Sequence, residues 1–213
     1  MDVAKNREVF WKKIGKRFYV KNLTKAGIFR TPFIANMMKI NGVNSVLELG
    51  CNVGRNLAEI CKQCPDARVV GFDIAADAMK YAKEVQKNPA EFIVGSVYDL
   101  SRFEDNSFDV VFTSSILFHI PSEKIPPIIA EMKRIAKRFI FTIERHSEKE
   151  EIAIWLDKIP HQWRTDYGKA YKAVGLKPHI KKMEVVLPKQ KVGGATHIIY
   201  AKLSEEEEEF KIR

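Results

Sequence analysis

The chain has 213 residues, of which 46% are hydrophobic and 30% charged, and its formal net charge is +9. This length favours one domain with a sizeable core, and the lack of an apolar run of about 18 residues argues against a membrane span or a membrane partner. Three cysteines are too few for a disulfide framework, and Met1 to Lys5 lacks the apolar core of a secretion signal, so we expect a reducing, cytoplasmic setting.

Most basic residues are scattered along the chain, and the acidic run from Glu205 to Glu209 masks part of their charge. A basic body can attract RNA or phosphorylated substrates. A lysine-rich solvated surface explains the same charge, and the lack of an arginine-rich run interleaved with aromatic residues favours it. Nucleic acid is therefore a partner that the charge allows and does not favour.

The first forty residues predict amphipathic helices, because apolar side chains such as Phe10 and Ile14 recur at helical spacing. Gly15 and Gly27 are expected to break this segment into two or three pieces. The acidic run near the other end predicts a frayed tail. The predicted organisation is an N-terminal helical cap over 1–40, a main domain over 41–204 and the acidic tail over 205–213.

The segment from Val46 to Asn56 predicts a strand, a tight turn and the start of a helix. Its first residues are apolar, as in a parallel strand that is covered on both faces. Gly50 and Gly54 permit close approaches that a Cβ forbids, and Asn52 tolerates left-handed backbone angles better than other non-glycine residues. The N–H groups of the following helix point at whatever lies over the turn, so we expect a small, partly polar ligand there.

Three nucleotide-binding motifs compete for this turn. A P-loop requires a Lys-Ser/Thr pair that does not follow Gly54, and a dinucleotide-binding fold requires a G-x-G-x-x-G spacing that is absent. The pattern Glu48-x-Gly50-x-Asn52-x-Gly54 resembles the first motif of class I S-adenosylmethionine-dependent methyltransferases, E/D-x-G-x-G-x-G. Asn52 stands where that family commonly has glycine. An ordinary strand-to-helix turn is the alternative.

The second predicted strand, Arg68 to Asp73, ends in an acid. Asp73 follows Gly54 by nineteen positions, close to where nucleotide-binding α/β units hold a carboxylate against ribose hydroxyls. A carboxylate can accept hydrogen bonds from both hydroxyls of a vicinal diol. N-capping of the next helix is the alternative role for Asp73, and the first motif favours ribose binding.

The third predicted strand, Glu91 to Val94, leads into Gly95 and Ser96. Related methyltransferases often carry an acid directly after this glycine, where it contacts the adenine amino group. Ser96 offers a hydroxyl acceptor at that position, and the backbone of Val97 offers a second contact. The resemblance therefore implies an adenine contact made by Ser96 and Val97. Asp99 is the alternative acid for this contact, and capping of the turn before Ser101 is the alternative role for Asp99.

The block from Glu104 to Ser115 predicts a polar turn and a buried strand with a polar end, similar to the fourth-strand entry of many small-molecule methyltransferases. Open α/β sheets bind ligands at this edge, so the backbone near Ser114 is expected to hold the methionine amine. His119 lies just beyond and is a candidate general base or substrate-orienting group. Packing beside the cofactor without proton chemistry is the alternative for this side chain.

The remaining chain predicts a fifth strand over Lys137 to Glu144, followed by Arg145, which meets an acidic substrate or lies in an exposed loop. The predicted fold is an α/β, Rossmann-like three-layer sandwich: a seven-stranded, mostly parallel sheet with an antiparallel last strand, helices on both faces and the N-terminal helices. The later predicted elements are helices over Glu150–Leu156 and Thr165–Val174, and strands over Pro178–Leu187 and Thr196–Leu203, with Lys189–Gly194 as their turn.

The class I resemblance covers about residues 40–203, makes the main domain a methyltransferase domain and implies S-adenosylmethionine as the cofactor. No metal is implied, because Cys61-x-x-Cys64 has no second ligand pair. The implied cofactor contacts are Glu48, Gly50, Cys51, Asn52, Gly54, Asn56, Asp73, Ile74, Ser96, Val97 and Ser114. The candidate substrate contacts are Tyr19, Arg30, His119 and Arg145, of which His119 is the candidate catalytic residue.

A narrower resemblance, carried by Leu49–Leu57, Gly95-Ser96 and Asp105–Ile120, is to methylases associated with pseudaminic acid and related sugar pathways. It implies methyl transfer to an O or N atom of a small, carbohydrate-type acceptor by direct displacement at the sulfonium methyl, for which the protein supplies positioning and desolvation. RNA or protein methylation through the basic surface, or a non-catalytic S-adenosylmethionine-binding module, are the alternatives. No Asn/Asp-Pro-Pro-Tyr/Phe motif follows the fourth strand, which disfavours amino-directed nucleic-acid methylation.

Overall fold

The structure is a computed structural model, and it describes residues 3–22, 30–85, 87–156, 159–183, 196–204 and 209–212. The helices are α1 (Val3–Asn22), α2 (Arg30–Ile40), α3 (Arg55–Gln63), α4 (Ala76–Glu84), α5 (Ile125–Ile135) and α6 (Tyr167–Ala173). The strands are β1 (Ser45–Leu49), β2 (Arg68–Asp73), β3 (Glu91–Val94), β4 (Phe108–Ser114), β5 (Ala136–Glu144), β6 (Glu151–Leu156), β7 (Ile159–Arg164), β8 (His179–Met183) and β9 (Thr196–Lys202).

Seven strands form one sheet in the order β3-β2-β1-β4-β5-β9-β8. The strands β3, β2, β1, β4 and β5 are parallel, and β9 runs antiparallel to both of its neighbours. This arrangement confirms the predicted seven-stranded, mostly parallel sheet with an antiparallel last strand. The strand order reverses between β1 and β4, and open α/β sheets bind ligands outside the carboxyl ends of the strands at such a reversal.

The sheet is buried on both faces, which explains its uninterrupted apolar strands. All seven residues of β4 are buried. Leu47 and Leu49 of β1 face the cluster that includes the apolar side of α5, whereas Val46 faces the opposite cluster with Ile34 of α2. Among the described helices, none has the length and apolarity that a membrane crossing requires.

The predicted helix over Glu150–Leu156 is wrong, because this segment is β6 and pairs with β7 in a separate two-stranded sheet. Ile152 lies opposite Trp163, which is buried, and β-branched and aromatic residues favour strands over helices. Arg164 Nη1 donates a 2.8 Å hydrogen bond to Glu151 Oε1 across the pair. Pairing with β7 therefore overrides the local helical pattern.

The two ends of the chain also differ from expectation. Helix α1 continues through Gly15, so the predicted break there is wrong; a glycine inside a helix is unfavourable by only about 1 kcal/mol. Gly27 and the predicted turn over Lys189–Gly194 lie outside the described residues. Phe210 is buried, with its ring centroid 4.6 Å from that of Phe139, so the prediction of a frayed tail does not describe residues 209–212.

Candidate functional site

The turn after β1 is held in left-handed backbone angles at three positions. The φ angles are +78° at Gly50, +48° at Asn52 and +67° at Gly54. The prediction that Asn52 adopts a left-handed conformation is thus confirmed. A Cβ on Gly50 would overlap the side chain of Ile116, which follows β4, so glycine is needed there for space as well as for its φ angle.

The backbone N–H groups of this turn are bonded within the chain. Gly50 N and Cys51 N both donate to Phe72 O of β2, at 2.7 and 3.2 Å. The others donate from Asn52 to Asp73 Oδ2, from Val53 to Asn52 Oδ1 and from Gly54 to Cys51 O. The N–H groups of residues 50–54 therefore all have internal acceptors.

Asp73, the last residue of β2, fixes the turn through its carboxylate. Its Oδ2 accepts the 2.8 Å bond from Asn52 N, and its Oδ1 accepts a 2.8 Å bond from Ala75 N, next to the start of α4. Burial raises the pKa of this carboxyl above its ordinary value. Each oxygen keeps acceptor capacity for a second donor, so the support of α4 and a ligand contact are compatible roles.

Glu48 and Asn56 form a buried hydrogen-bonded chain behind the turn. Asn56 Nδ2 donates to Glu48 Oε1 at 2.6 Å, and Asn56 Oδ1 accepts a 2.9 Å bond from Thr31 Oγ1 of α2. Burial is the main cause that raises the pKa of Glu48 to about 8, and nearby Asp73 adds to it. This chain ties β1, α3 and α2 together beneath the site.

A cleft lies at the carboxyl ends of β1 to β4, with α1 on its far side. It is called the strand-end cleft below. The residues that line it are Arg7, Glu8, Trp11, Gly50, Asn52, Asp73, Ile74, Gly95, Ser96, Val97, Tyr98, Ser115, Ile116, His119 and Ile120. The predicted ligand contacts that the structure brings together in this lining are Gly50, Asn52, Asp73, Ile74, Ser96, Val97 and His119.

Several other predicted contacts do not line the cleft and lie behind or beside it. Arg30 Nη1 donates to Ser115 Oγ, and Arg145 Nη1 donates to Gln162 Oε1 at 3.2 Å, with its guanidinium 5.2 Å from the Phe118 ring. The side chain of Tyr19 lies outside the described part of the structure. The predicted cofactor contacts that do not line the cleft are Glu48, Cys51, Gly54, Asn56 and Ser114.

Helix α1 supplies cleft residues that sequence reasoning missed. Ser96 Oγ donates a hydrogen bond to Glu8 Oε1, and the Trp11 ring lies edge-on to His119 with 4.7 Å between centroids. The amphipathic pattern of α1 does not reveal which strand ends the helix crosses, so only the adjacent polar pair Arg7-Glu8 beside aromatic residues could have signalled a ligand site.

Glu144, at the end of β5, holds the segment that follows β4. Its Oε1 accepts hydrogen bonds from Ile116 N at 3.0 Å, Leu117 N at 3.1 Å and Thr113 Oγ1 at 3.2 Å. Burial raises the pKa of Glu144 to about 7. The carboxylate thereby positions Ile116 and His119 at the cleft without lining it.

The cysteines do not form a metal site with other described residues. Cys61 and Cys64 are partly buried free thiols, and burial raises the pKa of both. Within the described ranges, no group of three or more His, Cys, Asp or Glu side chains is arranged to hold a metal ion. The strand-end cleft is the candidate functional site of the described part of the chain.

Comparison with known proteins agrees with this geometry. Residues 46–138 match a family model described as a methyltransferase domain. An uncharacterised methyltransferase of Schizosaccharomyces pombe, C1B3.06c, is 31% identical over 124 residues, which cover 51% of this chain and 43% of that protein. The chain spans about two fifths of the length of the curated relatives it matches.

Solved structures of methyltransferases share the fold over nearly the whole chain. The 1,6-didemethyltoxoflavin-N1-methyltransferase of Burkholderia thailandensis, with bound 1,6-didemethyltoxoflavin and S-adenosylhomocysteine, matches with a TM-score of 0.70 at 16% identity, over 94% of this chain and 87% of its own. The magnesium protoporphyrin IX methyltransferase of Synechocystis, with bound S-adenosylhomocysteine, matches with a TM-score of 0.67 at 14% identity, over 92% and 98%. Residues 46–138 therefore match a methyltransferase domain, and the fold around them is the one found in methyltransferases solved with bound S-adenosylhomocysteine.

Proposed function

We propose that the chain transfers a methyl group from S-adenosylmethionine to an oxygen or nitrogen atom of a small acceptor. The observation that carries this proposal is the composition of the strand-end cleft. Three successive parallel strands each contribute residues to it directly after their carboxyl ends: Gly50 and Asn52 after β1, Asp73 and Ile74 at β2, and Ser96 and Val97 after β3. The cleft lies beside the reversal of strand order, where this class of sheet binds ligands.

The lining of the cleft suits the cofactor in polarity, because the polar side chains of Asp73 and Ser96 lie beside the apolar side chains of Ile74 and Val97. In the proposed arrangement, Asp73 accepts hydrogen bonds from the ribose hydroxyls while it keeps its two backbone donors. Gly50 lets the methionyl part approach the backbone, and Ile74 and Val97 flank the adenine with apolar surface.

The adenine end has an acid supplied by α1. The resemblance had left Ser96 at a position where related enzymes often carry a carboxylate. Ser96 Oγ donates to the carboxylate of Glu8, and both residues line the cleft. We assign Glu8 to the adenine amino group, since a carboxylate is the stronger acceptor for that donor.

The residues beyond the methionyl end are proposed to form the acceptor side. S-adenosylmethionine supplies a methyl group that is activated by positive sulfur, so the chain's own contribution is positioning and the exclusion of water. Trp11, Ile116 and Ile120 provide apolar walls there. His119 is buried against Trp11 and Phe118 and is proposed to orient the acceptor. Where the acceptor atom carries a proton that methylation displaces, His119 is proposed to accept that proton as a general base.

A small acceptor of carbohydrate type is the finer proposal for the substrate. It rests on the sugar-pathway resemblance of Leu49–Leu57. The Burkholderia protein whose fold matches this chain was solved with a small molecule, 1,6-didemethyltoxoflavin, which supports a small acceptor and not its chemical type. Arg30, Arg145 and Tyr19 stay predicted substrate contacts. Arg30 bonds to Ser115 of the cleft lining, and Arg145 lies against Phe118, which precedes the lining residue His119.

The test is cofactor binding followed by methyl transfer. Calorimetric titration should show that the purified chain binds S-adenosylmethionine and S-adenosylhomocysteine at a single site. Radiolabelled S-adenosylmethionine is then incubated with the chain and separate pools of small metabolites, RNA and protein. Label should enter the small-metabolite pool. Label in RNA or protein alone would overturn the acceptor proposal, and binding without any transfer would favour a non-catalytic module.

A further inference from the structure

The Arg7 guanidinium is a buried cation on the wall of the strand-end cleft. The residue is 6% exposed, and its guanidinium carbon lies 4.2 Å from the centroid of the Phe10 ring. Its Nε and Nη2 atoms are buried and have no hydrogen-bond partner within the described part of the chain. Burial lowers the pKa of this group, although an arginine stays protonated in proteins.

The two nitrogen atoms without partners belong to one edge of the guanidinium. Nε–H and Nη2–H point the same way, and this edge forms parallel hydrogen bonds to the two oxygens of a carboxylate or phosphate. A buried charged donor without an acceptor is strongly unfavourable. An anionic group that reaches this buried edge from the cleft would satisfy both donors at once, whereas stacking on Phe10 satisfies neither.

Other donors for an anion are scarce around the turn. The N–H groups of residues 50–54 are all bonded within the chain, as described above. The acids that line the cleft, Glu8 and Asp73, bond to Ser96, Asn52 and Ala75 and would repel an anion. Arg7 is therefore the cleft residue best suited to receive negative charge.

We propose that Arg7 recognises an anion in the strand-end cleft, with its Nε–Nη2 edge binding a carboxylate or phosphate group of the bound ligand. The proposal rests on the proposed function, because that ligand is the cofactor or the methyl acceptor. The group has two sources: the carboxylate of the cofactor's methionyl part, or an acid group of the acceptor. Binding measurements separate these sources without knowledge of the acceptor.

The experiment compares Arg7→Gln and Arg7→Lys with Lys12→Gln, which removes an exposed positive charge from the same helix. Calorimetry measures the affinity of each variant for S-adenosylhomocysteine and for 5′-methylthioadenosine, which lacks the amino-acid part. Inorganic phosphate is then titrated into S-adenosylhomocysteine-saturated protein as the probe for an acceptor acid. Circular dichroism and thermal melting confirm that each variant is folded, and Arg7→Lys keeps the charge if Arg7→Gln does not fold.

If the group is the cofactor's carboxylate, Arg7→Gln weakens S-adenosylhomocysteine binding about tenfold or more and 5′-methylthioadenosine binding less than about twofold. If it is an acceptor acid, both affinities hold and phosphate binding to the saturated protein is lost. Arg7→Lys should recover part of the affected binding, because lysine keeps the charge and loses the paired edge.

All affinities within about twofold of Lys12→Gln, in both Arg7 variants, would overturn the proposal. Its failure differs from failure of the proposed function. If the proposed function fails, the unmodified chain binds neither S-adenosylhomocysteine nor 5′-methylthioadenosine. If only the Arg7 proposal fails, the unmodified chain binds both, and substitution of Arg7 leaves these affinities unchanged.

Discussion

The Asn56 side chain donates a 2.6 Å hydrogen bond to the carboxylate of Glu48, across a turn that separates them by eight residues. The bond joins the end of β1 to the first turn of α3, and it is buried beneath the site. The shape of the Gly50–Gly54 turn is therefore set by side chains behind it as well as by its own internal bonds. The unusual protonation behaviour of Glu48 follows from this burial.

Glu48→Gln should make folding stability less sensitive to pH. Burial raises the pKa of Glu48 to about 8, whereas a glutamate in an unfolded chain titrates near about 4.3. Between these values the folded chain holds a proton that the unfolded chain has released, so stability falls as pH rises, by up to about 1 kcal/mol per pH unit. The variant lacks this loss, and urea unfolding measured at several pH values between about 5 and 8 will show it.

The control for this prediction is Glu84→Gln, which neutralises an exposed acid on α4. It should keep the pH dependence of the unmodified chain. Glu144→Gln should also flatten the curve, since burial raises the pKa of Glu144 to about 7 with the same sign. An unchanged pH dependence in Glu48→Gln would show that Glu48 is ionised in the folded chain.

Asp73→Ala should weaken binding of S-adenosylhomocysteine by about 1–3 kcal/mol, because hydrogen bonds to a charged acceptor are lost. The folded chain should also lose some stability, since Asn52 N and Ala75 N each lose their acceptor. Calorimetry measures the first effect and thermal unfolding the second. Asp77→Ala, which removes an exposed acid four residues away, is the matched control. Equal affinity in the two variants would remove the ribose assignment.

Glu8→Ala should abolish discrimination for the adenine amino group. The unmodified chain is expected to bind S-adenosylhomocysteine about tenfold more tightly than its inosine counterpart, which has a carbonyl in place of that amine. Without the Glu8 carboxylate the two ligands should bind alike, as measured by calorimetry. Ser96→Ala removes the donor to Glu8 and keeps the acid, so it should retain the preference. A preference that survives in Glu8→Ala places adenine recognition elsewhere.

Gly50→Ala should destabilise the fold more than Gly42→Ala. Both glycines have positive φ angles, +78° and +55°, so each alanine brings backbone strain of about 1–2 kcal/mol. At Gly42 a Cβ meets nothing within 4 Å, whereas at Gly50 it overlaps the Ile116 side chain. Denaturant unfolding should show an additional loss at Gly50, together with weaker binding of S-adenosylhomocysteine. Equal losses would show that Ile116 moves aside freely.

The sequence predicted the main sheet well because its signals are local. Each parallel strand is a short apolar run that ends in a turn residue, and that pattern survives without knowledge of the partner strand. The segment over Glu151–Leu156 was predicted wrongly because its strand character depends on its pairing with β7. Helix α1 was expected to break at Gly15, and it continues because one glycine changes helix stability only slightly.

The residues of the site also fall into a group that the sequence predicts and a group that it does not. Gly50, Asn52 and Asp73 could be predicted because the turn and the strand end require those residue types near each other in the chain. Arg7 and Glu8 could not, because only the docking of α1 brings them to the ends of strands that begin between residues 45 and 108. Glu144 was seen at the edge of β5, but its bonds to Ile116 and Leu117 depend on the pairing of β4 with β5.

The burial of Phe210 matters for anyone who shortens or extends this chain. Its ring lies 4.6 Å from that of Phe139 and 5.9 Å from that of Phe141, and Lys211 N donates to Asn41 Oδ1 at 2.9 Å. A truncation that removes the acidic run and all residues after it would also remove Phe210. The apolar side chains of β5 that Phe210 contacts would then be exposed and would favour self-association. An affinity tag is better attached after a short spacer, so that Phe210 stays packed against Phe139.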